Sequence, residues 1–210
     1  QVHKGNLFSR LKGGVLYLKD HPIIFMFGFL SYMLFAFTLV EVHVLLPSYV
    51  HRFLEMDGNI YASAEIYYSL GAICSGVLIL RVFRKVNTVA SIIILLVSVS
   101  FAFCAMAVYK LLWVFFLGNL ILGIANSGVR ILRTTYIFNH IPNNLIGRAN
   151  SVFNSLNVII RMMMIGVFAL PFFHLNDNIR YGYFVGAGLM FLTLIPLLFW
   201  YKRIISVEKN

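Results

Sequence analysis

The sequence predicts an all-α integral membrane protein with six transmembrane helices. Three observations lead there. First, 60% of the 210 residues are hydrophobic and only 11% charged, with a mean hydropathy of +0.87; soluble domains are about half apolar and a quarter charged. Second, the apolar residues fall in six runs of about 20 or more, the length a helix needs to cross the hydrocarbon core. Third, no ten-residue alternating segments of the barrel type occur, and backbone groups in lipid must find their partners within a helix or a closed barrel.

The first run extends from Pro22 to about Leu46, where Pro47 is expected to stop it. The second covers about Tyr61–Leu80 and the third about Val89–Tyr109. The fourth is long, about Leu111–Phe138, and ends ahead of Pro142. The fifth covers about Ala149–Phe173 and the sixth about Gly182–Tyr201. Residues 1–21 precede the spans and 202–210 follow them, which gives a basic leading segment, a transmembrane unit over 22–201 and a short tail. In the leading segment, NLFSRLKGGVLYLKD mixes Leu, Phe and Tyr with basic residues. It reads either as an amphipathic helix on the membrane surface or as a basic linker, and the Gly13–Gly14 pair leans toward the linker.

The net charge of +10 is read as membrane orientation, not nucleic-acid binding. Thirteen of the 17 Lys and Arg residues lie on one set of flanks: Lys4, Arg10, Lys12 and Lys19; Arg81, Arg84 and Lys85; Arg130, Arg133 and Arg148; Lys202, Arg203 and Lys209. The other flanks hold Arg52, Lys110 and Arg180, and Arg161 lies in mid-span. Basic loops stay on the cytoplasmic side, so both termini are expected there, in a cell (inner) membrane. Cys74 and Cys104 both lie in apolar runs and read as small core or lipid-facing residues, not a disulfide or metal pair. No His, Cys, Asp or Glu cluster has metal-ligand spacing, and no Gly-x-x-x-x-Gly-Lys phosphate loop is present. No cofactor is expected.

Polar stripes separate cavity-lining helices from those that meet only lipid. In the fifth span Asn150, Asn154, Asn157 and Arg161 are spaced 4, 3 and 4; in the fourth, Asn119, Asn126, Arg130 and Arg133 are spaced 7, 4 and 3. Each set falls on one helix face. The first span carries Ser31, Thr38 and Glu41, and the second carries Glu65, Tyr68 and Ser75. The third and sixth have little and are expected to face lipid. A single Asn or Ser of this kind often serves only a neighbouring helix. Arg161 is harder to explain that way: it lies roughly 18 Å along its helix from the cytoplasmic end, where an Arg costs about 2.5–3.5 kcal/mol. Arg130 either snorkels to the inner interface or joins Arg161 in facing a cavity, and Arg133 is expected at the interface. Asn126, Arg130, Asn154, Asn157 and Arg161 are therefore the candidate lining of a cavity for an anionic group. Glu41 and Glu65 are candidate proton-coupling carboxylates.

The stretch IPNNLIGRANS, joining the fourth span to the fifth, resembles the Pro-x-x-x-x-Gly-Arg connection of the major facilitator superfamily, here Pro142, Gly147 and Arg148. GAICSGVLILRVFRKVN, after the second span, is similar to a degenerate form of that family's Gly-and-basic motif, with Gly71 and Gly76 followed by Arg81, Arg84 and Lys85; the family's acidic residue is missing. The resemblance implies a six-helix half built as a 3+3 inverted repeat, with residues 1–21 as the end of a central cytoplasmic loop. It is best matched to the C-terminal half, and within the family to bacterial drug and siderophore exporters. It also implies a second, N-terminal six-helix half, in the same polypeptide or another, and alternating access around a small-molecule site. Gly76, Arg81, Arg84, Lys85, Gly147 and Arg148 would pack and gate the cytoplasmic side. The expected function is proton-coupled efflux of a small organic, anionic or siderophore-like substrate. The rival readings are a non-transporting subunit of a membrane complex and a six-helix membrane enzyme; against the enzyme, no mid-membrane His accompanies Ser127–Gly128.

Overall fold

The computed structural model describes residues 7–81 and 86–208, and among these every regular element is helical. We number the helices α1 (Leu7–Asp20), α2 (Pro22–Phe53), α3 (Gly58–Arg81), α4 (Thr88–Val108), α5 (Leu112–His140), α6 (Asn143–Phe168), α7 (Tyr181–Phe199) and α8 (Tyr201–Glu208). Six of them, α2 to α7, are long and apolar enough to cross a bilayer. The chain is thus a multi-pass membrane protein in its architecture.

The helix boundaries follow local chemistry. Pro22 opens α2 at a position where its missing N–H costs nothing. Asn87 caps α4: its side chain accepts the Ala90 N–H at 2.8 Å and its Nδ2 donates to the Tyr201 hydroxyl at 2.9 Å. Pro142 separates α5 from α6, because the residue before a proline is driven out of helical conformation; Ile141 is extended at φ −108°, ψ 128°. On the opposite side of the bundle, Glu55 turns the chain from α2 to α3 at φ 56°. Its carboxylate accepts from Lys110 Nζ at 2.6 Å, and that ammonium holds the Glu55 carboxyl below its usual range.

Two expectations about chain course are corrected. Pro47 does not end α2. The helix widens into π-helical turns over Glu41–Leu45 and Tyr49–Phe53, on either side of the proline, and continues to Phe53. The Leu46 N–H reaches back five residues to the Glu41 carbonyl, and such a widened turn relieves the clash a proline ring makes with the preceding turn. The Gly13–Gly14 pair does not mark a linker, since both glycines lie inside α1. A Cβ on Gly14 would sit 2.5 Å from the Arg148 carbonyl oxygen, so glycine lets α1 lie directly on the first turns of α6.

The packing centres on α2 and α5. Helix α5 packs along α3 and α4 and crosses α2, while α2 packs along α6 and against α7, and α4 packs along α7. Gly71 and Gly123 bring α3 and α5 into backbone contact: a Cβ on Gly123 would lie 2.0 Å from the Tyr68 carbonyl oxygen, and one on Gly71 2.2 Å from that of Leu120. Small residues allow such approaches between membrane helices, where dispersion replaces the hydrophobic effect as the attraction. Aromatic side chains fill the centre. The Tyr49 ring meets Tyr183 edge-on at 4.6 Å and its hydroxyl donates to the Met106 carbonyl at 2.6 Å. Only 22% of the most apolar stretch is buried in α3 and in α6, against 44–67% in the other four spans. The helices left most exposed are therefore two that carry polar stripes, not α4 and α7.

Candidate functional site

Two cavities open along the polar face of α5. The first, about 280 Å³, lies between α2, α5 and α6. Its polar lining is Tyr32, Arg130, Arg133, Thr134, Asn150 and Asn154, closed by apolar side chains that include Phe35 and Phe138. Arg133 is buried and locked in place: its guanidinium lies 3.6 Å from the centre of the Tyr32 ring, and its Nη1 donates to the Ser31 carbonyl at 3.1 Å. The Tyr32 hydroxyl donates to Asn150 Oδ1 at 2.9 Å, tying α2 to α6 across the cavity. Arg130, one turn before Thr134, is exposed to the cavity.

Among the described residues, two guanidinium groups and no carboxylate line this space. The one ion pair among the described residues is Glu55–Lys110, at the bundle surface. Uncompensated cations at membrane depth are costly, and here each is directed where an anion relieves the cost. The arrangement can bind a carboxylate, sulfonate or phosphate: Arg133 is a fixed donor, because its planar guanidinium is pre-oriented by the stacked ring, Arg130 an adjustable one, and the Asn side chains supply neutral hydrogen bonds.

The second cavity, about 250 Å³, lies toward the α2–α3 turn between α2, α3 and α5. It is mostly apolar, with Thr38, Glu65, Tyr68, Ser69, Asn119 and Asn126 as its polar residues. Asn126 Nδ2 donates to the Tyr68 hydroxyl at 2.7 Å, and Glu65 accepts from the Tyr61 hydroxyl at 2.8 Å. Phe35 lines both cavities and forms the wall between them.

The sequence-derived candidates divide accordingly. Arg130 and Asn154 line the first cavity together; Asn126 and Glu65 line the second. Asn157 lines neither: it is buried, and its Nδ2 donates to the Tyr32 carbonyl at 3.4 Å, so it joins α6 to α2. Arg161 also lines neither. It is half-buried two turns beyond Asn154, and its Nε has no hydrogen-bond partner among the described residues. Glu41 is fully buried on the side of α2 that faces α7, where one carboxylate oxygen accepts from the Tyr183 hydroxyl at 2.9 Å and the other has no partner among the described residues. Gly76 and Gly147 have open space where a Cβ would be, and Arg81 is exposed. Arg84 and Lys85 lie outside the described residues. Arg148 packs against α1: a Cβ on Gly13 would be 3.1 Å from its Nη1.

Sequence reasoning left out Tyr32, Phe35 and Thr134, and assigned Arg133 to the interface. The two hydroxyl residues of the α2 stripe bond within their own helix, Ser31 Oγ donating to Gly28 O at 2.9 Å and Thr38 Oγ1 to Leu34 O at 2.8 Å. The signal was the aromatic pair Tyr32 and Phe35, three residues apart on one face. Among the described residues no group of three or more His, Cys, Asp or Glu side chains is gathered to hold a metal. Comparison with protein-family models, with curated proteins and with solved structures gives no match.

Proposed function

We propose that this chain is the substrate-binding half of a secondary active transporter, with the Arg130–Arg133 cavity as the site for an anionic group. The observation that carries the reading is that cavity: two cations without carboxylate partners, one of them locked, between three membrane-length helices.

Two further features support it. Exchanging α2 with α5, α3 with α6 and α4 with α7 turns the α3–α5 packing into α6–α2 and the α4–α5 packing into α7–α2, while α2–α5 and α4–α7 map onto themselves. The first helix of each triplet enters the membrane from the opposite side, so this closure supports a 3+3 inverted repeat of the major facilitator kind. The polar-striped helices α3 and α6, related by the same exchange, are the least covered. In this reading they meet a second six-helix half, and the cavities open between the two halves. Alternating access follows from rocking the halves about that site in the inner membrane, with both termini cytoplasmic.

Glu65, in the second cavity, is the carboxylate best positioned to exchange a proton with the substrate pathway. Glu41 faces α7 and senses the site only through α2, so in this scheme its role is conformational.

The test is the full-length protein in proteoliposomes under an imposed pH gradient, with a panel of anionic, siderophore-like and cationic organic compounds. The expected result is gradient-driven movement of an anionic compound, reduced at least tenfold by Glu65→Gln. Movement of cationic compounds alone overturns the anion assignment. No movement of any compound by a correctly folded protein favours a structural subunit.

A further inference from the structure

Helix α1 leaves one face unpartnered. Its opposite face lies on α6 through Gly14 and Leu18, with Val152 beneath. Its Tyr17 hydroxyl donates to the His140 carbonyl at 3.2 Å, which fixes the helix about its axis at this end of the bundle. The residues left outward on this face are Lys12, Val15, Leu16 and Lys19, spaced 3, 1 and 3, with the exposed Asp20 at its edge, one turn after Leu16. Val15 and Leu16 are 51% and 52% exposed, between two exposed lysines. Behind them, between α1, the start of α2 and α6, is a cavity of about 310 Å³ lined by Val15, Leu18, Lys19, Pro22, Phe25 and Val152. Its walls are hydrocarbon apart from the single charged group of Lys19.

This cavity lies where α2 begins to span, at Pro22, so its depth is that of the boundary between headgroups and acyl chains. Water fills an apolar cavity at that depth poorly, and a soluble anion has no use for hydrocarbon walls. A lipid satisfies both parts: an acyl chain against Val15, Leu18, Phe25 and Val152, and a negative headgroup on Lys19 and Lys12. We infer that the α1–α6 crevice is a binding site for one anionic phospholipid, which seats α1 on the membrane surface. The inference goes beyond the transport reading and does not depend on it; it needs only that the chain spans a bilayer.

The test uses full-length protein in bilayer nanodiscs and a phosphatidylglycerol with a photoactivatable acyl chain, alongside its phosphatidylcholine counterpart. On irradiation the phosphatidylglycerol probe is expected to label peptides containing Val15–Phe25 and Val152, at least fivefold more than the phosphatidylcholine probe. Lys19→Gln and Lys12→Gln should each lower that labelling about fivefold, the effect of one basic residue near a charged surface. Val15→Trp, which fills the cavity and keeps the charge, should lower it as far. Millimolar glycerol 3-phosphate should not compete. Equal labelling by both lipids, labelling confined to other helices, indifference to Val15→Trp, or displacement by the soluble phosphate would each overturn the assignment; an unchanged melting temperature in each variant confirms that folding is intact.

Discussion

Arg133→Ala is expected to lower transport of an anionic substrate by roughly a hundredfold while leaving the protein folded. Two contributions to stability oppose each other. The substitution removes a hydrogen bond from a charged donor, worth about 1.5–3 kcal/mol, and a desolvated cation–π contact worth about 2 kcal/mol. It also relieves the cost of a cation at membrane depth, about 2.5–3.5 kcal/mol. The net change in stability is therefore small, about 0–2.5 kcal/mol, and the loss is felt in binding, where a fixed charge-assisted donor disappears. The lysine variants separate the two arginines. Arg133 is held by stacking on Tyr32 and by the Ser31 carbonyl; a lysine has no planar group to stack, so Arg133→Lys should behave like Arg133→Ala. Arg130 is exposed in the cavity, so Arg130→Lys should keep activity within about fivefold of wild type and Arg130→Ala should lose at least tenfold. Initial rates in proteoliposomes, with melting temperatures in detergent, check both. Full rescue of transport by Arg133→Lys would refute the locked-donor role.

Gly123→Val is expected to have the largest effect on folding. The added Cβ would lie 2.0 Å from a backbone oxygen of α3, and a backbone atom cannot step aside as a flexible side chain can. The helices must separate along their length. Overpacking costs about 1–3 kcal/mol where side chains relieve it; here the loss should reach the top of that range or exceed it. Gly71→Val should behave alike, from the other side of the same contact, with its Cβ 2.2 Å from the Leu120 oxygen. Gly76→Ala, where a Cβ meets open space, is the control and should melt within about 0.5 kcal/mol of wild type. Thermal unfolding of the four proteins in one detergent decides the matter: a Gly123→Val protein as stable as the control would mean that α3 and α5 do not touch as described.

Much of the fold was legible because it rests on one-dimensional quantities. Run length gave the six spans to within a few residues at most ends, and Pro142 marked the α5–α6 boundary. Pro47 misled, because a proline's effect depends on whether the preceding turn can widen, and that is set by the packing of Tyr49 and Leu45 in the core. The Gly13–Gly14 pair misled for a related reason: glycine weakens a helix in isolation and permits one where another backbone must come close.

The site was only half legible. Asn126, Arg130, Asn154 and Glu65 came from periodicity, which reports that residues share a face. Periodicity does not report which way the face looks. The stripe on α2 is real, yet Glu41 turns to Tyr183 on α7 and Ser31 bonds its own helix, while Tyr32 and Phe35, hidden in an apolar run, line the cavity. Arg161 and Asn154 share a stripe, but the two turns between them carry Arg161 past the end of the first cavity. Its distance to the helix end places Arg133 at the interface; the Tyr32 ring and the Ser31 carbonyl, 101 and 102 residues away in sequence, hold it inside.

An Arg130–Arg133 cavity that is open to water and selects anions can be detected by thiol chemistry without knowledge of the substrate. Asn154→Cys, in full-length protein with Cys74 and Cys104 replaced by Ser, is treated in proteoliposomes with a negatively charged and a positively charged methanethiosulfonate of similar size. The anionic reagent is expected to react about tenfold faster relative to the cationic one than it does with a free thiol in solution, since local potentials of several kT concentrate one sign of charge, and Arg130→Gln should remove most of that preference. Equal relative rates for the two reagents, or a preference untouched by Arg130→Gln, would contradict anion selection by this cavity.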